Sequence, residues 1–245
     1  MDEIERFSSE VRANVDRLLG DADMQALSRA WLLEVTRRRY TYNFSWLGRP
    51  VIQLPQDLLA VQELIWQVRP DLIVETGIAH GGSLIHSASL LEILGGDGLV
   101  VGVDVDIRSH NRREIERHPL ARRITLIEGS SIDEAVAAAV RQHARGRRAV
   151  MVILDSNHTH DHVLKELALY APLVTRGSYL VVFDTLIEDL PEELFAGRPW
   201  GKGNNPKTAV WEFLKTTDRF EIDARIHGKL LLTCAPDGYL RCTGD

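Results

Sequence analysis

Two cysteines in 245 residues, Cys234 and Cys242, are too few for a disulfide framework and lack metal-ligand spacing, so both read as free thiols. No apolar run is long enough to span a bilayer. The opening residues, Met1-Asp-Glu-Ile-Glu-Arg-Phe7, are charged and helical in pattern rather than signal-like, which predicts a cytoplasmic chain with no membrane partner. Neither sign of charge dominates: the formal net charge is −6, and basic residues are scattered apart from short clusters such as Arg37-Arg38-Arg39 and Arg112-Arg113. Nucleic-acid binders carry a basic face or a stacking platform, so no such partner is expected. Internal repeats and low-complexity tracts are missing as well. What is left is one chain of average hydrophobicity, long enough to bury a full α/β core.

The apolar period switches repeatedly between helix-like and strand-like, the mark of a mostly parallel sheet covered by helices on both faces. Strands are expected near 71–76, 99–104, 123–127, 149–154 and 177–184, with helices near 82–95, 109–117, 131–144 and 159–172 between them. Two amphipathic helices, an irregular stretch at 40–55 rich in Tyr, Trp and Pro, and a helix near 56–68 precede the first strand. The segment 220–234 reads as two strands joined by a short turn. A closing antiparallel hairpin on a parallel sheet suits a methyltransferase better than a dehydrogenase. The division expected is residues 1–55 as helices and a segment covering cofactor or acceptor, and 56–245 as the cofactor-binding domain, in one structural unit.

The run Asp71-Leu-Ile-Val-Glu-Thr-Gly-Ile-Ala-His-Gly-Gly-Ser83 delivers a buried strand to a glycine turn and then to a helix. Gly77, Gly81 and Gly82 permit positive φ and close ligand approach, and free N–H groups near Gly81 to Ser83 can hold an anion such as a carboxylate. The spacing is not the G-x-G-x-x-G of a dinucleotide site. Glu75, two residues before the first glycine, would repel a pyrophosphate but accept hydrogen bonds from an ammonium group. S-adenosylmethionine offers an ammonium, a carboxylate, a ribose and no phosphate. Asp104, ending the second strand, is placed to take the ribose hydroxyls. The plainer alternative is a tight turn with Glu75 as a solvated strand end.

Farther on, Ala149-Val-Met-Val-Ile-Leu-Asp-Ser-Asn-His-Thr-His160 leaves Asp155 at a strand's carboxyl end with histidines after it, and the fifth strand delivers Asp184 to the same edge. Ligands of open α/β sheets bind outside those ends. Two converging aspartates suit Mg²⁺, which takes oxygen ligands and lowers the pKa of a bound hydroxyl. His158 is matched to removing a proton near neutral pH. Against this, Asp155 is also a reasonable N-cap for the next helix, His158 and His160 reasonable loop histidines, and Asp184 a reasonable partner for loop backbone. Residues 185–207, rich in Gly, Pro and acidic side chains, read as a lid and acceptor loop. Within it Asn204, Asn205 and Lys207 can hydrogen-bond a polyhydroxylated acceptor, and Asn204-Asn205-Pro206 can equally cap the helix that starts near Lys207. Trp46, Arg49 and Trp200 either line the entrance or pack at an oligomer interface.

These motifs, together with Asn43-Phe-Ser-Trp-Leu-Gly-Arg-Pro50 and Pro199-Trp-Gly-Lys-Gly-Asn-Asn-Pro-Lys-Thr-Ala-Val210, resemble the cephalosporin hydroxylase family over roughly residues 40–240. The resemblance implies a class I methyltransferase fold and an S-adenosylmethionine-dependent, Mg²⁺-dependent O-methyltransferase similar to those of macrolide sugars and rhamnosyl groups. It further implies a small-molecule acceptor of the sugar class, a part in natural product or polysaccharide modification, and a homo-oligomer that uses the N-terminal helices. By residue, it implies Glu75, Gly77 and Ser83 at the methionine part, Asp104 at the ribose, Ser130 or Ser131 at the adenosine side, Asp155 as metal ligand and His158 as general base. One position departs: the family's sugar methyltransferases carry a metal-binding Glu-Asp pair after the fifth strand, and this chain has Phe183-Asp184. Water, substrate, Glu188 or Asp189 are the candidates to fill that place. Two other readings stay open, an iron hydroxylase and a non-catalytic cofactor-binding partner. The first normally wants two histidines and one carboxylate.

Overall fold

The computed structural model describes residues 2–244. In chain order the elements are α1 (Glu3–Gly20), α2 (Ala22–Arg37), β1 (Phe44–Trp46), β2 (Arg49–Val51), α3 (Pro55–Val68), β3 (Leu72–Thr76), α4 (Gly82–Leu94), β4 (Leu99–Asp104), α5 (Ser109–Glu116), β5 (Ile124–Glu128), α6 (Glu134–Ala144), β6 (Val150–Leu154), α7 (His160–Tyr170), β7 (Tyr179–Val182), α8 (Pro206–Phe213), β8 (Phe220–Ile222), α9 (Ala224–Leu230) and β9 (Tyr239–Cys242). Short 3₁₀ turns join several of them.

Seven strands form one sheet in the order β5-β4-β3-β6-β7-β9-β8, parallel from β5 to β7 and antiparallel at β9 and β8. The strand order reverses between β3 and β6, which makes the carboxyl ends of those two strands the switch point where a ligand crevice opens. Residues alternate between the two faces of a strand. Thus Leu72 and Val74 of β3 enter the apolar layer under α6, α7 and α8, while Ile73 enters the layer under α3 and α4. Glu75 falls on the Ile73 side by the same alternation, facing the start of α4.

Two stretches differ from the sequence expectation. Residues 40–55 are not irregular. A 3₁₀ turn at Tyr40–Asn43 leads into the hairpin of β1 and β2, whose two-residue turn has Leu47 and Gly48 both at positive φ (44° and 86°). At the other end β8 begins where a strand is expected, but its partner is β9 rather than the residues up to Cys234. Asp223 caps a helix there by accepting a bond from the Arg225 N–H, and α9 docks on α1 so closely that a Cβ on Gly228 would stand 2.8 Å from that of Leu19. Tertiary packing against α1 thus overrides a β-like local pattern. The edge strands are antiparallel as expected, with a helix between them instead of a tight turn.

At the other end of the N-terminal region, Leu32 of α2 packs with Leu54, Leu186 and Leu190 in a separate small cluster. That cluster brings α2 over the carboxyl edge of β7. Among the described residues no helix is long and apolar enough to cross a membrane.

Candidate active site

Glu75 is 1% exposed, so it is not a solvated strand end. One carboxylate oxygen accepts a hydrogen bond from the Ser83 hydroxyl, and the other, Oε2, is buried without a partner. Burial, together with the charge of Asp104, pushes its carboxyl up to about 7. An orphaned buried acceptor is costly, and it marks a place built for a donor that arrives with a ligand. Beside it α4 starts at Gly81 (φ 82°) without a side-chain cap, which leaves its first-turn N–H groups to an anion. An orphaned acceptor and uncapped N–H donors therefore meet at the start of α4, where the Ser83 hydroxyl joins Glu75 to the helix.

The glycines have a packing role. A Cβ on Gly77 would lie 2.1 Å from the Asp155 carbonyl oxygen, one on Gly81 2.4 Å from the Ile115 side chain, and one on Gly82 2.2 Å from the Pro50 carbonyl oxygen. They let the loop press against the end of β6, against α5 and against β2. Arg49 adds a clasp by donating to the His80 carbonyl and to Asn111. Asp104 is also engaged, accepting from the N–H groups of Ile78, Ala79 and Asp106 while remaining half-buried at the mouth of the crevice. Ser130 is half-buried, whereas Ser131 is buried and hydrogen-bonded to His162, 3.0 Å away.

On the other side of the switch point, Asp155, His158 and Asp184 converge, with one potential ligand atom from each lying within 4.8 Å of the others. His158 Nε2 is 3.1 Å from Asp184 Oδ2, and its ring meets the edge of Trp200 at 4.8 Å. Asp184 sits in the left-handed region (φ 56°), a strained conformation for a residue other than glycine, which turns the chain sharply at the end of β7. Burial and the neighbouring Asp184 and Glu75 carboxylates drive the Asp155 carboxyl well above the usual range, while Gln53 hydrogen-bonds it and works the other way. Two carboxylates forced together with one imidazole form an oxygen-rich donor set suited to a hard divalent cation. The N-cap of α7 is Thr159, so capping does not account for Asp155. The set holds one histidine, not the two of a non-haem iron triad.

Phe183 is core: 2% exposed, with its ring 6.4 Å from that of Tyr239. Glu188 and Asp189 do not replace it at the triad. Glu188 accepts from the Gly203 N–H and the Asn205 amide, and Asp189 pairs with Lys207 at 2.6 Å. The capping reading of the loop is the one the structure builds. Asn205 is the N-cap of α8, Asn204 accepts from the His160 N–H and donates to the Pro199 carbonyl, and Lys207 is buried between Asp189 and Asp237. These three residues hold the loop together, so their expected place on the acceptor is given up.

Beside the triad opens a cavity of about 420 Å³. Its walls come from α2, from residues 39–42, from Ile52 and Leu54, and from residues 184–200. The expected lid segment is thus an ordered wall, carrying 3₁₀ turns at Thr185–Asp189 and Glu192–Phe195. Trp200 lines the cavity, while Trp46 donates to Ser89 and packs on His86 of α4.

Sequence reasoning missed Gln53, 6% exposed, whose only signal is one polar residue between Ile52 and Leu54. It also missed the half-buried Ser156, which donates to Glu166 beside His162. Glu166 is wholly buried in the middle of α7, a position that pattern alone assigns to an exposed face.

Comparison with known proteins gives a consistent picture. The family model for Rhamnosyl O-methyltransferase/CmcI matches residues 38–243. A Rhamnosyl O-methyltransferase of Mycobacterium bovis (strain BCG / Pasteur 1173P2) is 32% identical over 188 residues, covering 75% of this chain and 72% of that protein. Among solved structures, cmcI-D160 with Mg and SAM aligns with a TM-score of 0.57 at 22% identity, over 83% of this chain and 78% of that one. The O-methyltransferase from Bacillus cereus in complex with SAH aligns with a TM-score of 0.52 at 16% identity, over 79% and 81%. At these identities the structural likenesses speak for the fold.

Proposed function

The chain belongs to the Rhamnosyl O-methyltransferase/CmcI family, and on that premise we propose that it transfers the methyl group of S-adenosylmethionine to a hydroxyl of a sugar-bearing or other polyol small molecule, assisted by Mg²⁺. The observation that carries the reading is the meeting at one switch point of an orphaned buried carboxylate, Glu75, with the triad of Asp155, His158 and Asp184. The first accounts for a cofactor that carries an ammonium group, and the second for a hydroxyl that must lose a proton.

In this reading Glu75 Oε2 takes the cofactor's ammonium, the open N–H groups of α4 its carboxylate, Asp104 its ribose, and Ser130 or Ser131 its adenosine side. Asp155 and Asp184 hold the cation, with Gln53 fixing Asp155. Bound there, Mg²⁺ supplies a local positive charge that lowers the pKa of the acceptor hydroxyl. The acceptor oxygen forms its bond to the methyl carbon as the carbon–sulfur bond breaks, and S-adenosylhomocysteine leaves. The hydroxyl proton passes to His158, whose imidazolium is stabilised by Asp184. A sulfonium is already a good leaving centre, so alignment and deprotonation are the protein's main contributions.

The test is release of S-adenosylhomocysteine, followed by mass spectrometry with methyl rhamnoside as acceptor, in Mg²⁺ and in chelator. Acceptor-dependent release that falls in chelator supports the reading. Binding of S-adenosylmethionine with no release to any polyol acceptor would favour the non-catalytic partner instead.

A further inference from the structure

The cavity beside the triad is a poor match to a bare polyol. Its walls are mostly aliphatic and aromatic, among them Leu32, Val35, Ile187, Leu190, Leu194 and Phe195. Sugar hydroxyls placed against such walls would lose water without gaining partners. Beside the Tyr42 hydroxyl and the Cys234 thiol, the acidic and basic side chains that line it are His158 and Asp184 of the triad and two arginines, Arg39 and Arg198.

Both arginines are exposed, and among the described residues neither is paired with a carboxylate. Each is laid over an aromatic ring of the same cavity: Arg39 lies 4.2 Å from the centre of Tyr42 and Arg198 5.4 Å from that of Trp200. Stacking orients a guanidinium while leaving its edge donors free. Trp200 is also the ring that meets His158 at 4.8 Å, so a single aromatic side chain separates one guanidinium from the triad. The lining therefore carries negative charge at the triad, apolar walls, and two positive groups set beside them.

We propose that the acceptor bears, besides the hydroxyl that is methylated, a compact apolar body held in this cavity and an acidic group held by Arg39 and Arg198. A carboxylate is the planar match to a guanidinium fork. The proposal rests on the methyltransferase reading and narrows its acceptor from any polyol to an amphiphilic acid.

The experiment uses three rhamnosides: the para-carboxyphenyl glycoside, its methyl ester, and methyl rhamnoside, which has neither ring nor acid. Affinity for each is measured by calorimetry on the full chain with S-adenosylhomocysteine and Mg²⁺ bound, at low salt. The acid should bind about tenfold more tightly than its ester, and the ester more tightly than methyl rhamnoside. In Arg39→Gln/Arg198→Gln the acid should fall to the level of the ester, with S-adenosylhomocysteine affinity unchanged. Equal binding of acid and ester by the wild-type protein, or failure of all three to bind, would overturn the proposal. Loss of S-adenosylhomocysteine binding in the wild-type protein would instead overturn the reading beneath it.

Discussion

Glu75 sets a pH dependence whose sign follows from its burial. Its carboxyl titrates at about 7 in the folded protein against 4.5 ordinarily. Between those values the folded chain keeps a proton that the unfolded chain has released, so this residue's contribution to stability declines as pH rises through that window. Cofactor binding runs the other way, because an ammonium group favours the carboxylate. Affinity for S-adenosylmethionine should therefore rise between about pH 5.5 and 7 with proton release, measurable by calorimetry in buffers of different ionisation enthalpy. Glu75→Gln should flatten that slope; a slope unchanged in the variant would separate Glu75 from the ammonium. At the other half of the site, Asp155→Ala should abolish the response of turnover to Mg²⁺ and leave cofactor affinity within a few-fold. Parallel loss of both would mean a misfolded protein. His158→Ala should lower kcat by roughly a hundredfold to ten-thousandfold, the usual range for a general base, with cofactor affinity kept.

Elements hold these residues where pattern alone did not reveal it. Asp57 of α3 is wholly buried and accepts bonds from the Thr233 hydroxyl, the Cys234 N–H and the Tyr239 hydroxyl, which ties α3 to the chain entering β9. Asp57→Ala would leave three donors without a partner, at about 1 kcal/mol or more each, so denaturant unfolding should show a loss of about 3 kcal/mol or more. A change below about 1 kcal/mol would show that water satisfies them. The parallel core was legible because buried strands and amphipathic helices alternate in chain order, and Glu75, Asp104, Asp155 and Asp184 are all strand-end residues. The sequence left Asn204, Asn205 and Lys207 open between acceptor contact and capping for a physical reason: both uses call on the same side chains, and only the three-dimensional partners, which here are those of the loop and the cap, tell them apart. α9 was hidden because its helical state depends on docking against α1, far away in sequence. Gln53 was hidden because a lone polar residue in a loop carries no period.

At the scale of the whole molecule, the site is complete only when the N-terminal region covers the sheet. The crevice at β3, β4 and β6 opens at the switch point, and the cavity beside the triad, where the proposal puts the acceptor, takes its other wall from α2 and residues 39–42. Leu32, 4% exposed, both joins α2 to Leu186 and Leu190 and lines that cavity. Leu32→Ala should cost about 2–3 kcal/mol in stability and raise KM for the acceptor while leaving cofactor affinity unchanged. The central claim, that this fold binds S-adenosylmethionine beside a cation-assisted hydroxyl site, is tested most directly by calorimetric titration of the full chain with S-adenosylmethionine and S-adenosylhomocysteine, in Mg²⁺ and in chelator. The account predicts saturable binding of both at one site per chain, weakened but still measurable in Glu75→Gln. A folded protein that binds neither would contradict it.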